Sequence, residues 1–357
     1  MTHDRPLVVA DDETLFDEIL RLAAAVGCEI QRASDLVEAA DHWARAPLVL
    51  LDETALDGEL PFRAGIFLVT KGAPAPATWR RAFESGVEKV ITLPDGEPAL
   101  VGALADIAEG PGTPGGCVIG VVGGRGGAGA SLLAATIGVV AAKQGDALLV
   151  DCDQLGGGLD LLLGAELDQG LRWPGVLVGG GRISLPALAG ALPEHRCGGV
   201  RLPFVSCDRE GNGPSPEAIA SVVEAGRRGG AVVVCDLPRH LGPEAGVVLD
   251  RADLVVLVVP AEVRACAAAK RVAGRLSDRC RRIRLIVRGP APGGLDPEQA
   301  ARVVGIPLMT SMAPERLLDK AVENGRFEPR SRGPLITAAQ LVVAEARAAL
   351  DKAEAVA

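Results

Sequence analysis

The chain has 357 residues, more than one ordinary hydrophobic core accommodates and about right for two domains. Its composition, 48% hydrophobic and 23% charged, is that of a globular protein and excludes a disordered chain. A formal net charge of −9 and a content of six Phe, three Trp and no Tyr argue against nucleic acid as the main partner.

The charge is unevenly distributed along the chain. Residues 1–110 hold 9 Lys or Arg against 20 Asp or Glu, whereas the remainder holds 28 against 26. The segment from Glu109 to Gly116 is rich in Gly and Pro, which interrupt helices and strands. We therefore predict a first domain over residues 1–109, a linker over 110–116 and a second domain over 117–357.

The first domain alternates short apolar strands with helices. Strands are predicted over Pro6–Ala10, Glu29–Arg32, Pro47–Leu51, Gly65–Thr70 and Lys89–Leu93. Helices are predicted near residues 15–22, Asp35–Ala44, Thr78–Ser85 and Pro98–Ala108. This order predicts an α/β, doubly wound sheet of the flavodoxin-like type, with its site at the carboxyl ends of the strands.

Polar residues stand at those strand ends. Asp11 and Asp12 follow the first strand, Asp52 follows the third, and Thr70 ends the fourth. This pattern resembles the receiver domain of two-component response regulators, in which the acidic pair holds Mg²⁺ and the third aspartate accepts a phosphoryl group. However, Leu93 stands where the family has lysine, and too few residues separate Asp52 from the fourth strand for the usual helix. We expect a degenerate, receiver-like interaction domain without phosphotransfer.

The second domain opens with a glycine-rich turn between a strand and a helix. The strand Cys117–Val122 is followed by GGRGGAGAS and then by an apolar helix over residues 132–143. The P-loop pattern GxxxxGK[ST] fits Gly124, Gly129 and Ser131, but Ala130 replaces its lysine. Because glycines let backbone N–H groups approach an anion, and a helix N-terminus favours negative charge, a phosphate site is predicted.

Further Val-rich strands, typical of a parallel sheet, are predicted over Ala147–Val150, Gly230–Cys235, Leu254–Val259 and Ile283–Val287. Two of these strands lead into carboxylates, at Asp151 and Asp153 and at Asp236. The position of Asp236 is similar to that of a Walker B aspartate, which holds the water shell of Mg²⁺.

The runs RGGAGAS, VDCDQLGGGLDLLLG, VVVCDLPR and RADLVVLVVPAE resemble the MinD/ParA class of P-loop ATPases with a deviant Walker A motif. They are still more similar to its CpaE/TadZ branch, and within it to actinobacterial septum site-determining (Ssd) and CpaE-like proteins. The resemblance covers essentially the whole chain, including a receiver-like domain ahead of the ATPase-like domain. It implies a MinD/ParA-type parallel-sheet fold for the second domain.

The resemblance also implies residue roles. Arg125 takes the place of the signature lysine, which in the class reaches across a dimer to the partner's nucleotide. Asp153 would orient the attacking water, and Ser131 and Asp236 would hold Mg²⁺. The residues implied at the nucleotide are Gly124, Arg125, Gly126, Gly127, Ala128, Gly129, Ala130 and Ser131.

These roles imply an ATP- and Mg²⁺-binding homodimer that places cell-division or pilus/secretion machinery. Hydrolysis is expected to be weak or absent, because Ala130 removes a positive charge from the phosphate site. The expected location is the cytoplasm, with recruitment to a pole, a septum or the inner membrane face. Two alternatives stay open, namely a signalling protein switched through Asp52 and a DNA-associated ParA-like partitioning factor.

Two late segments and the cysteines complete the predictions. The stretch Arg264–Arg288 holds nine basic residues against Asp278 alone, and we expect a solvated helix face there rather than a DNA or lipid site. The tail 335–355 predicts a helix that docks on its domain, with one side formed by Leu341, Val342, Ala346 and Leu350. Eight scattered cysteines without a CxxC pair predict reduced thiols, and neither a signal peptide nor a spanning helix is predicted.

Overall fold

The computed structural model describes residues 5–58, 60–108, 116–176, 183–209, 213–315 and 317–354. These residues fall into two compact units, one ending at residue 108 and one beginning at residue 116. The predicted linker 110–116 lies, except for Gly116, outside the described residues.

The first unit is a five-stranded parallel sheet in the order β2-β1-β3-β4-β5. Its strands are β1 (Leu7–Val9), β2 (Gln31–Ala33), β3 (Val49–Leu51), β4 (Ile66–Lys71) and β5 (Lys89–Leu93). Its helices are α1 (Glu13–Ala25), α2 (Leu36–Trp43), α3 (Pro76–Glu84) and α4 (Glu97–Ala108). This strand order is that of the flavodoxin-like doubly wound fold, as predicted.

Between β3 and β4 the chain makes a short 3-10 turn, Thr54–Asp57, where the other connections of this unit carry an α-helix. The short segment available after Asp52 leaves no room for more, as the sequence predicts. Asp12 and Asp35 cap the N-termini of α1 and α2, each accepting two backbone N–H groups. Local capping therefore explains where both helices begin.

The second unit is built on an eight-stranded sheet in the order β13-β12-β11-β6-β10-β7-β9-β8. Its strands are β6 (Cys117–Gly123), β7 (Ala147–Asp151), β8 (Glu194–Cys197), β9 (Val200–Val205), β10 (Val232–Leu237), β11 (Leu254–Pro260), β12 (Ile283–Arg288) and β13 (Leu308–Met312). All neighbouring strands are parallel except β8, which pairs antiparallel with β9 at the edge.

The helices of this unit are α5 (Ala130–Ala142), α6 (Leu159–Leu163), α7 (Leu185–Ala191), α8 (Pro216–Arg228), α9 (Pro243–Leu249), α10 (Val263–Ser277), α11 (Pro297–Val304), α12 (Leu318–Val322) and α13 (Pro334–Glu354). Along β6, Val118 and Val122 belong to one hydrophobic cluster and Ile119 and Val121 to a second one. Both faces of the central strand are therefore buried, which explains its uninterrupted apolar sequence.

The C-terminal helix α13 packs against α5, as expected for a docked tail. Its buried side includes Ala339, Val342 and Ala346, whereas Leu341 is 44% exposed. The prediction that Leu341 belongs to the packed side is therefore wrong, whereas Val342 and Ala346 are buried there as predicted. Among the described residues, no helix combines the length and apolarity needed to cross a membrane.

Candidate functional site

The glycine-rich turn lies at the carboxyl end of β6, between the neighbouring strands β10 and β11. The Gly124 N–H donates to the carbonyl of Val258 in β11 at 2.8 Å. A Cβ at Gly124 would lie 2.7 Å from the Cβ of Ala269, so the close packing of α10 requires glycine there. Strand pairing and helix packing thus hold the base of the turn.

The turn then enters α5 through two left-handed glycines. Gly127 has φ +70° and Gly129 has φ +89°, values that a residue with a side chain rarely adopts. Gly129 is the N-cap residue of α5 and provides no side-chain acceptor for the first N–H groups of the helix. A Cβ at Gly126 or Gly127 would meet no atom within 4 Å, so the turn is open on that side. This geometry suits a bound phosphate.

Two carboxylates are buried beside the turn, at the ends of neighbouring strands. Asp236 of β10 and Asp151 of β7 are paired in register, and they are 5% and 2% exposed. The Ser131 and Asp236 side chains line the same cavity. Burial, and secondly the charge of Asp151, raise the pKa of Asp236 to about 8. Among the described residues neither acid forms an ion pair, and two buried acids of this kind are a donor set that suits a divalent metal.

Asp151 is held by the surrounding backbone. Its carboxylate accepts N–H groups from Leu159 at 3.0 Å, from Cys207 at 3.1 Å and from Asp153 at 3.1 Å. Burial raises the pKa of Asp151, and these hydrogen bonds oppose that shift. The sequence predicts Asp151 at a strand end but predicts no role for it.

A cavity of about 410 Å³ collects these groups. Its lining includes Ser131, Asp151, Asp153 and Asp236, together with Glu166. The structure therefore brings the three predicted residues Ser131, Asp153 and Asp236 to one cavity next to the glycine turn. The described residues include no cluster of three or more His, Cys, Asp or Glu side chains arranged to hold a metal. Mg²⁺ usually takes one or two side chains plus substrate phosphates and water, which Ser131 and Asp236 fit.

Arg125 turns back onto its own chain. Its Nη2 donates to Oε1 of Glu262 at 2.8 Å, while its Nε is buried without a partner. Ala128 is buried in the domain core. Ala130 is the first residue of α5 and has no side-chain ammonium group where the P-loop pattern has lysine. The predicted contact of Arg125 with a partner chain would therefore compete with its ion pair to Glu262.

Sequence reasoning missed several groups around the site. The Ser206 hydroxyl lies within 3.2 Å of Asp151 and 3.3 Å of Asp160. Asp160, 2% exposed, is paired with Arg209 at 2.9 Å and with Arg172 at 3.4 Å. Asp160 lies inside the run VDCDQLGGGLDLLLG, but Ser206, Arg209 and Arg172 lie outside the quoted motifs, and nothing in their local pattern signals these contacts.

A further arginine lies against the turn itself. Arg288 Nη1 donates to the carbonyl oxygen of Gly127 at 3.3 Å, across 161 residues of sequence. The sequence shows Arg288 only as the last member of the basic stretch. Other members of that stretch are neutralised, since Arg279 pairs with Asp250 at 3.1 Å and Arg284 with Glu345 at 2.7 Å.

The receiver-like pocket of the first unit is closed by internal bonds. Asp52 is 3% exposed, and its oxygens accept the Asp11 N–H at 2.8 Å and the Thr54 hydroxyl at 2.7 Å. Asp12 caps α1 and is ion-paired with Lys71 at 3.0 Å. The hydrogen bond from Thr14 and then that from Lys71 hold the pKa of Asp12 well below its usual range. An ammonium group thus lies at the acidic pair.

The remaining predicted residues of this pocket are also occupied. The Thr70 hydroxyl donates to the Gly72 carbonyl at 3.0 Å, and Leu93 is buried in the core. The pocket therefore has the receiver shape, but its polar side chains are bonded to other groups of the protein, and Leu93 replaces the lysine.

Comparisons with known proteins agree with this architecture. A family model described as "Rv3660c-like, CheY-like N-terminal domain" matches residues 8–115. The chain is 42% identical over 339 residues to the uncharacterized proteins Rv3660c and MT3760 of Mycobacterium tuberculosis, covering 93% of this chain and 95% of each relative.

Solved structures are similar over the second unit. A ParA family ATPase from Chlorobium tepidum has a TM-score of 0.55 at 14% identity, covering 66% of this chain and 98% of that one. The MinD cell division protein of Aquifex aeolicus has a TM-score of 0.51 at 25% identity, covering 64% and 95%. The septum site-determining protein MinD of Pyrococcus horikoshii, complexed with Mg-ADP, has 0.52 at 20%, covering 64% and 95%. The predicted fold class, a CheY-like domain followed by a MinD/ParA-like domain, is confirmed.

Proposed function

The chain belongs to the Rv3660c-like family, and from that premise we propose that its second unit binds ATP and Mg²⁺ as a MinD/ParA-type switch. One observation carries the proposal. The glycine turn ends at the N-terminus of α5, which has no side-chain cap, and Ser131 in the first turn of α5 lines one cavity with the buried Asp236. Backbone N–H groups for phosphates and oxygen ligands for Mg²⁺ are thus adjacent.

The role we propose is positional. The sequence resembles the CpaE/TadZ branch and its septum site-determining members, and solved neighbours of similar fold include a cell division protein and a ParA family ATPase. In this proposal a nucleotide-linked homodimer in the cytoplasm places division or pilus/secretion machinery at a pole, a septum or the inner membrane face.

Turnover is proposed to be slow. A P-loop lysine neutralises charge that develops between the β- and γ-phosphates, and a lost donor at such a site costs about 10²–10³ in rate. Ala130 supplies no such charge, and Arg125 is engaged by Glu262. Bound ATP then serves mainly to stabilise a conformation or a dimer, and its hydrolysis contributes little.

Neither alternative is favoured by a specific observation. Asp52 phosphorylation is opposed by the hydrogen bonds on its oxygens and by Lys71 beside Asp12. A DNA interface on the basic stretch is opposed by the pairing of Arg279 and Arg284 with acids.

Calorimetric titration with ATP, in Mg²⁺ and in EDTA, tests the proposal. If Ser131 completes a Mg²⁺ site, Ser131→Ala should weaken ATP binding with Mg²⁺ more than binding without it. Ser277→Ala, which removes an exposed hydroxyl at the far end of α10, is the matched control and should bind like the parent. No binding by the parent, or equal weakening in both buffers, would overturn the assignment.

A further inference from the structure

We propose that Arg288 supplies the positive charge that Ala130 lacks and binds the phosphates of the nucleotide; this rests on the proposed function. Arg288 is the last residue of β12 and pairs in register with Pro260, the last residue of β11. Since β11 borders β6 and all three strands are parallel, the Arg288 backbone and the glycine turn both lie at the carboxyl ends of the strands.

The Arg288 side chain lies directly against the turn. Besides its bond to the Gly127 carbonyl, its Nη1 lies 3.0 Å and its Cζ 3.4 Å from the place where a Cβ at Gly129 would stand. Glycine at position 129 is favoured by its left-handed φ, and it leaves room for this guanidinium.

The charge of Arg288 is available to a ligand. Among the described residues no carboxylate pairs with it, and its hydrogen bond to Gly127 uses one of five N–H donors. Arg125, the other cation at the turn, is neutralised by Glu262. Arg288 is thus the cation at the turn that no acid opposes, in the part of the chain that the structure describes.

An arginine at this place suits phosphate. The guanidinium keeps its charge at every physiological pH, and its planar donors match two phosphate oxygens at once. The opposite side of the site, around Asp151 and Asp236, is acidic and suits the metal. In this arrangement Arg288 would contact the phosphates of the nucleotide, and the acidic side would hold the metal.

Equilibrium dialysis with radiolabelled ATP and Mg²⁺ tests this role on the full chain. Arg288→Gln, which keeps a polar side chain but removes the positive charge, should weaken ATP binding by about 10–100-fold. Arg281→Gln is the matched control, because this exposed residue precedes the amino end of β12, whereas Arg288 ends the strand. It should bind ATP like the parent.

A second variant distinguishes charge from a merely structural contact. Ala130→Lys in the Arg288→Gln background returns a cation to the turn and should recover at least about tenfold of the lost affinity. The inference is overturned if Arg288→Gln binds like the parent, if Arg281→Gln loses as much, or if the double variant binds no better than Arg288→Gln. A parent that binds no ATP would instead refute the proposed function and this inference with it.

Discussion

Asp236 is a residue at which burial and charge conflict. It is 5% exposed and paired in register with Asp151, and its pKa is raised from 3.8 to about 8. The folded protein therefore holds a proton on Asp236 that the unfolded chain loses near pH 4. Since the folded state binds more protons between these values, the free energy of unfolding falls as pH rises from about 4 to about 8.

Asp236→Asn should therefore stabilise the nucleotide-free protein at pH 8. The amide keeps the size of the side chain but cannot ionise. We expect Tm to rise by at least about 2–4 °C, the effect of about 1 kcal/mol in a domain of this size, and the gain to vanish near pH 4. Thermal unfolding of both proteins across this range measures it; a variant less stable than the parent at pH 8 would contradict the ionisation argument.

Motif residues could be predicted from the sequence because their chemistry follows from local order. Carboxylates that end parallel strands share one sheet edge, so Asp153 and Asp236 were expected near Ser131. Arg288, Glu262 and Ser206 could not be predicted in this way. Their contacts with the site depend on which strands become neighbours, and local patterns do not encode strand order.

At the scale of elements, the short turn after β3 decides the chemistry of the first unit. It places Thr54 and Ala55 so that both donate to Oδ1 of Asp52, while the Asp11 N–H occupies Oδ2. A phosphoryl acceptor needs a free carboxylate oxygen next to a metal. Lys71 pairs with Asp12 where that metal would bind.

We therefore expect no stable aspartyl-phosphate on Asp52. Incubation with acetyl phosphate and Mg²⁺ should leave the intact mass unchanged, and Asp52→Asn is the matched control. Addition of one phosphoryl mass to the parent, lost in the variant, would show that the pocket opens.

The packed side of α13 was misjudged by including Leu341. Val342 is fully buried, whereas Leu341 is 44% exposed. Val342→Asp should destabilise the protein by at least about 3 kcal/mol, because an unpaired charge enters the core. The neighbouring change Leu341→Asp should cost no more than about 1 kcal/mol. Equal loss in urea unfolding of the two variants would show that the two positions are equally buried.

Regular apolar runs made most strands predictable, and their absence explains the strands that were missed. The strand β8 reads EHRC, and β9 contains Pro203, which is unfavourable inside a sheet. The edge strand is β8, which pairs antiparallel with β9, whereas β9 also pairs with β7. The strand β13 at the other edge is only partly buried.

At the scale of the whole molecule, charge separates the two parts of the chain. The first 110 residues carry the large acidic excess, and the rest is nearly neutral. Three of the nine basic residues of the basic stretch make separate contacts, Arg279 with Asp250, Arg284 with Glu345 and Arg288 with the glycine turn. Electrostatics therefore favours protein partners over duplex DNA.

We propose that the nucleotide-linked dimer uses Arg125, which stands where the MinD/ParA class has its signature lysine. In the single chain Arg125 is paired with Glu262 at 2.8 Å, so a dimer contact would compete with that ion pair. The most direct measurement is the size of the parent and of Arg125→Ala, each with and without ATP·Mg²⁺, by light scattering after gel filtration. The parent should dimerise only with nucleotide, Arg125→Ala should stay monomeric, and the control Arg281→Ala should follow the parent. Identical dimer fractions in the parent and Arg125→Ala, whatever the nucleotide, would contradict the account.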